Sequence, residues 1–136
     1  RNFPAMTVFE NILVTVEQGV YRKSSAWWPH INKANCIERT EEIIRSVGLI
    51  NQSFSFASDL TCYEQRCLEI ARGLAMDPRI LLIDEPADGM NTQQQQSLAG
   101  LLKDVCSKGA LTLVVTSAGS DPFVLICDRT VHLSTH

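Results

Sequence analysis

The chain has 136 residues, 45% of them hydrophobic, enough for one core of ordinary domain size. Its net charge of −3 and pI near 5.5 argue against a chain dedicated to a polyanion, so no nucleic-acid partner is expected. No apolar run reaches the roughly 20 residues that cross a bilayer as a helix, so membrane association has to pass through a partner.

The first 59 residues read as mostly helical. Val8, Ile12 and Val16 fall on one helical face, and Gly19 marks the expected end of that helix. Residues 21–35 are a polar and aromatic connection containing Trp27 and Trp28, read as surface packing or as a groove for a membrane partner. A second helix runs through Ile37, Ile43, Ile44 and Val47, with Gly48 as its stop. A serine-rich loop, 53–59, follows. Thr61 and Glu64 then have the form of a capping box, and Leu68, Ala71, Leu74 and Ala75 recur at helical spacing behind them. Asp77-Pro78 closes that helix with a turn.

Ile80-Leu81-Leu82-Ile83-Asp84-Glu85-Pro86 is the most informative stretch. Its four apolar residues predict a strand buried on both faces, with Asp84 and Glu85 at the carboxyl end. Ligands bind at that end of open α/β sheets. Adjacent carboxylates there suit a magnesium ligand followed by a group that orients or deprotonates a water. A strand running into an acidic turn is the plainer alternative. A helix over 92–107 with Leu98, Leu101, Leu102 and Val105 on one side follows, then a strand over 111–116, a short helix leading to Cys127, and a third strand over 130–133. Helices alternating with apolar strands predict an α/β fold with a mainly parallel sheet. The five cysteines, Cys36, Cys62, Cys67, Cys106 and Cys127, have neither CxxC nor zinc-ligand spacing and fit reduced thiols in a cytosol.

The order of capped helix, turn, apolar strand and paired carboxylates closely resembles the ABC-transporter ATPase family. Leu60-Thr61-Cys62-Tyr63-Glu64-Gln65-Arg66 is similar to its signature motif in the LSYGEQR form, and Ile80–Pro86 to its Walker B strand. Met6-Thr7-Val8-Phe9-Glu10-Asn11 resembles the MTVxEN segment after the Q-loop, and Ala87-Asp88-Gly89-Met90-Asn91 the D-loop. The GMN form of the D-loop looks most like the ATP-binding subunits of branched-chain amino acid importers. The resemblance implies a partial P-loop NTPase domain. Residues 1–59 would be part of a helical subdomain, and residues 60–136 the signature helix, Walker B strand and following α/β portion of the core.

Roles follow from the same resemblance. Asp84 would hold Mg2+, and Glu85 would polarise the water that attacks the γ-phosphate of ATP. Thr61, Cys62, Tyr63 and Glu64 would face the ATP of an opposite subunit in a head-to-tail dimer, with Gly89, Met90 and Asn91 as the D-loop. The implied partners are a second ATPase subunit and transmembrane permease subunits. They imply a cytoplasmic protein, peripheral on the inner face of the cell membrane.

The sequence also departs from the family. Tyr63 stands where glycine is usual, so its ring is expected to hinder the approach to phosphate or to open the loop. Asn91 replaces the D-loop aspartate, and Asp88 stands where alanine is common. The switch histidine falls on Ser117 or Ala118 by two ways of counting, and His30, His132 and His136 lie elsewhere. No GxxxxGK(S/T) loop occurs and the sequence does not begin with methionine, which fits the second half of an ATPase domain. Alone, the chain is expected neither to bind ATP tightly nor to hydrolyse it, and to be marginally stable. A degenerate, non-catalytic docking subunit is a second reading. A DNA-repair-type ATPase head is a third, weakened by the absence of heptads.

Overall fold

A computed structural model describes residues 2–23, 32–107, 111–117 and 122–131. Trp27, Trp28, His30, Ala118, His132 and His136 lie outside the described residues.

The chain order is α1 (Val8–Lys23), α2 (Lys33–Ser46), two short 3-10 turns, α3 (Cys62–Ala75), β1 (Ile80–Asp84), α4 (Thr92–Ser107), β2 (Thr112–Thr116) and a last 3-10 turn, Val124–Ile126. α1 opens on a reciprocal cap: Thr7 N donates to Glu10 Oε2 at 2.8 Å and Glu10 N to Thr7 Oγ1 at 3.2 Å. Val8, Ile12 and Val16 are buried at the expected spacing. Gly19 does not end the helix, which continues to Lys23. A Cβ there would lie 3.2 Å from the Ala75 carbonyl oxygen, so this glycine permits the close crossing of α1 over the end of α3.

α2 begins at Asn32, whose Oδ1 accepts from the Ala34 and Asn35 N–H groups. It ends before Gly48, whose φ of +75° needs a residue without a Cβ. Its buried face is Cys36, Thr40, Ile43 and Ile44; Ile37, expected on that face, is exposed. Thr40 is buried at little cost because its hydroxyl donates to the Cys36 carbonyl at 2.7 Å. Leu68, Ala71 and Ala75 of α3 join Leu98, Ala99 and Leu102 of α4 in one core with α1 and α2.

β1 and β2 pair in parallel, with Ile80 opposite Thr112 and Asp84 opposite Thr116, as the helix–strand alternation predicts. The expectation of a strand buried on both faces is corrected. Ile83 is 8% exposed, whereas Ile80 and Leu82 are 58% and 72% exposed. Among the described residues the helices cover one face of this two-stranded sheet, and the other, which also carries Val114, is open. The helix expected before Cys127 is a single 3-10 turn, and Thr130 and Val131 form no strand; residues 132–133 lie outside the described residues.

Candidate functional site

Both sequence-predicted carboxylates stand at the carboxyl end of β1. Asp84 is its last residue, on the open face, and its Oδ1 accepts a short hydrogen bond from Thr116 Oγ1 across the sheet. At Glu85 the chain leaves the strand with a φ of +43°, left-handed backbone that is costly for a residue with a Cβ. The turn is pinned on both sides. Glu85 N donates to the Thr116 carbonyl at 3.2 Å and to Thr116 Oγ1 at 3.3 Å, and Asp88 N donates to the Glu85 carbonyl at 3.2 Å. Pro86 is fully buried behind it. Both carboxylates therefore face solvent from an anchored backbone.

The signature segment forms the start of α3. Thr61 Oγ1 accepts from Glu64 N at 3.3 Å, while Glu64 Oε2 accepts from Thr61 N at 2.8 Å and from its hydroxyl at 2.7 Å. The capping box inferred from the sequence is present. Thr61 and Glu64 thus bond to each other rather than to Asp84 or Glu85.

The Tyr63 ring is half-buried against the core, with its phenol near the Cys67 thiol one turn along α3. Burial, then Cys67, pushes the Tyr63 phenol up to about 12. Burial likewise raises the Cys67 thiol to about 11, with the neighbouring Tyr63 phenol opposing. The ring lies along α3 toward the core, drawn there by apolar surface.

The D-loop residues continue from the Glu85 turn. Gly89 has a φ of +74°, and a Cβ on it would lie 3.5 Å from Cys62 Sγ. The same thiol is 3.9 Å from the Asp88 carbonyl oxygen. Cys62 and Gly89, found as separate motifs, are therefore neighbours. Met90 is buried and anchors the loop. Asn91 is the cap of α4: its N–H donates to Gln94 Oε1 at 3.1 Å, and its Oδ1 accepts from Gln94 N at 3.0 Å. That reciprocal pair was readable at i, i+3 but was not assigned from the sequence.

Thr116 was also missed. Matching the carboxyl ends of the two predicted strands in parallel register would have placed it opposite Asp84. Ser117, at the first counted switch position, follows it directly.

Among the described residues no three His, Cys, Asp or Glu side chains gather into a metal cage. Magnesium does not need one. It is held by one or two carboxylates completed by water and substrate phosphates, and the hard, exposed oxygens of Asp84 fit that mode.

No protein-family model matches the chain. It is 31% identical over 125 residues to the methionine import ATP-binding protein MetN of Haemophilus ducreyi, covering 92% of this chain and 33% of that protein. It is 35% identical over 91 residues to MetN of Myxococcus xanthus, covering 67% of this chain and 28% of that protein. The chain spans about a third of the length of these curated relatives.

Among solved structures, CbiO1 of Clostridium perfringens, part of the ABC transporter complex CbiONQ, superposes with a TM-score of 0.80 at 18% identity. The match covers 94% of this chain and 47% of that one. A dimeric ATP-binding cassette bound to ADP and Pi superposes at 0.69 with 20% identity, covering 93% of this chain and 50% of that one. The fold is that of an ABC ATPase domain over the part matched, an α/β structure as the sequence predicts.

Proposed function

From a chain related to ABC-transporter ATP-binding subunits and folded like them, we infer part of the ATP-binding subunit of an importer, supplying one half of its hydrolytic site. One observation carries the reading: two exposed carboxylates at the end of a parallel strand, fixed by Thr116, beside a capped signature helix whose start touches the D-loop. Asp84 would hold Mg2+, which supplies charge neutralisation on the phosphates when bound. Glu85, aimed outward by its left-handed turn, would orient the attacking water. The Cys62 and Tyr63 N–H groups, in the first turn at the positive end of α3, would meet phosphate held by an opposite subunit. Gly89 and Asn91 would set the D-loop at that junction.

We propose a helical portion, 1–59, and a core portion, 60–136, the second opening on α3, where a Cβ on Gly73 would meet Leu81 of β1. Relatives named for methionine import support amino-acid import. The solute we propose is methionine, because the relatives described above are named for methionine import. Permease subunits would hold the protein peripherally on the inner membrane face; no helix among the described residues is long and apolar enough to cross a membrane. Ser117 at the switch position favours a second reading, a non-catalytic docking subunit.

The half-site reading predicts that the purified chain with Mg2+ and ATP releases no phosphate above background, because no GxxxxGK(S/T) loop occurs in it. Turnover that disappears in Glu85→Gln would overturn it.

A further inference from the structure

The geometry points to Thr116 as a positioning residue that holds the Asp84 carboxylate and the Glu85 backbone through one hydroxyl. A threonine hydroxyl has one proton to give and two lone pairs to offer. Here the proton goes to Asp84 Oδ1, which leaves the oxygen free to accept from Glu85 N at 3.3 Å. The Thr116 carbonyl accepts from the same N–H at 3.2 Å, so Glu85 N is shared between two acceptors of one residue.

The placement follows from sheet register. Asp84 and Thr116 are opposite partners in the last rung of the β1–β2 pair, both on the open face. β-branching at Thr116 suits the strand and restricts χ1, so the hydroxyl is held rather than swept through three rotamers. The left-handed φ of +43° at Glu85 has to be held by its surroundings, and the Thr116 hydrogen bonds are on the residue that does so. With the proton direction fixed by Asp84, the Asp84 carboxylate and the Glu85 backbone are held as one unit from β2, the neighbouring strand. This inference rests on the proposed role of Asp84 as a metal ligand only for its consequence, since groups bonded to a ligating carboxylate tune its affinity.

The test uses the full chain, isotopically labelled, as wild type, Thr116→Val and Thr116→Ser. Valine keeps the shape and strand preference, and serine keeps the hydroxyl. Hydrogen exchange at the Glu85 amide should quicken about fivefold or more in Thr116→Val and stay near wild type in Thr116→Ser. Mn2+ alone, added in place of Mg2+, should broaden the Asp84 and Glu85 signals in wild type and Thr116→Ser. In Thr116→Val it should need about ten times the concentration. Unchanged amides in the helices of Thr116→Val exclude general unfolding. A Thr116→Val chain with wild-type exchange at Glu85 overturns the inference, as does a Thr116→Ser chain that behaves like valine. Absence of any Mn2+ response in wild type instead overturns the metal role of Asp84, while the exchange result still decides the role of Thr116.

Discussion

Cys67 should make this fold alkali-sensitive by an amount that the structure sets. Its residue is fully buried on α3, and desolvation pushes its thiol from 9.0 up to about 11, the neighbouring Tyr63 phenol only partly opposing. The folded state therefore keeps its proton where the unfolded chain has released it. With more protons bound in the folded state, stability falls as pH rises. The contribution is intact below pH 9 and is lost through the window up to pH 11. Each pH unit inside that window costs about 1.4 kcal/mol, so the loss between about pH 8 and about pH 10.5 is roughly 2 kcal/mol. Cys67→Ala removes the titrating group. Thiols and phenols away from Cys67 titrate in both proteins and cancel in the difference, and the Tyr63 phenol largely does so, since burial, the larger cause of its shift, acts in both. Urea unfolding followed by circular dichroism, in a reductant, should show the wild type losing about 2 kcal/mol more than Cys67→Ala over that range. Parallel losses in the two proteins would refute the reasoning. They would mean that Cys67 is solvated.

Other consequences concern the helix start, the helix crossing and the open sheet face. Thr61→Ala removes one half of the α3 cap and should cost about 1 kcal/mol, read as a fall in Tm of roughly 3–5 °C. Gly19→Ala should destabilise despite a helix-propensity gain of about 0.5–1 kcal/mol, because its Cβ meets the Ala75 backbone oxygen at 3.2 Å; a raised Tm would refute the close crossing. Leu82→Lys, at a residue 72% exposed, should change stability by less than about 0.5 kcal/mol and reduce aggregation. Ile83→Ala on the opposite face should cost about 2–4 kcal/mol. Equal costs at the two positions in denaturant unfolding would contradict the one-faced cover of β1.

Features set by neighbours in sequence were legible. The Thr61–Glu64 box spans one turn and needs only its own residues. Gly48 was correctly taken as a helix stop because its constraint is local, a positive φ. Gly19 looks the same in sequence, yet its constraint comes from Ala75, 56 positions away. Ile37 matched the apolar stripe but lies outside the face that α1 and α3 cover, while Cys36 and Thr40 fill it. The run Ile80–Ile83 announced a strand without saying which faces would be covered, since cover depends on what packs there. The position of Asp84 and Glu85 was readable because strand ends fall where apolar runs stop. Thr116 was not, because its importance exists only once two strands are in register. Tyr63 was read from its size alone; that its ring packs toward the core depends on apolar surface brought by other elements.

The most direct test of a half-site replaces the matching segment of Haemophilus ducreyi MetN with this chain and measures Mg2+-dependent ATP hydrolysis with and without Glu85→Gln. The account predicts turnover in the chimera that falls at least about a hundredfold in Glu85→Gln. Equal rates in the two chimeras, whether both active or both silent, would contradict a catalytic role for Glu85 and leave the docking subunit as the standing interpretation.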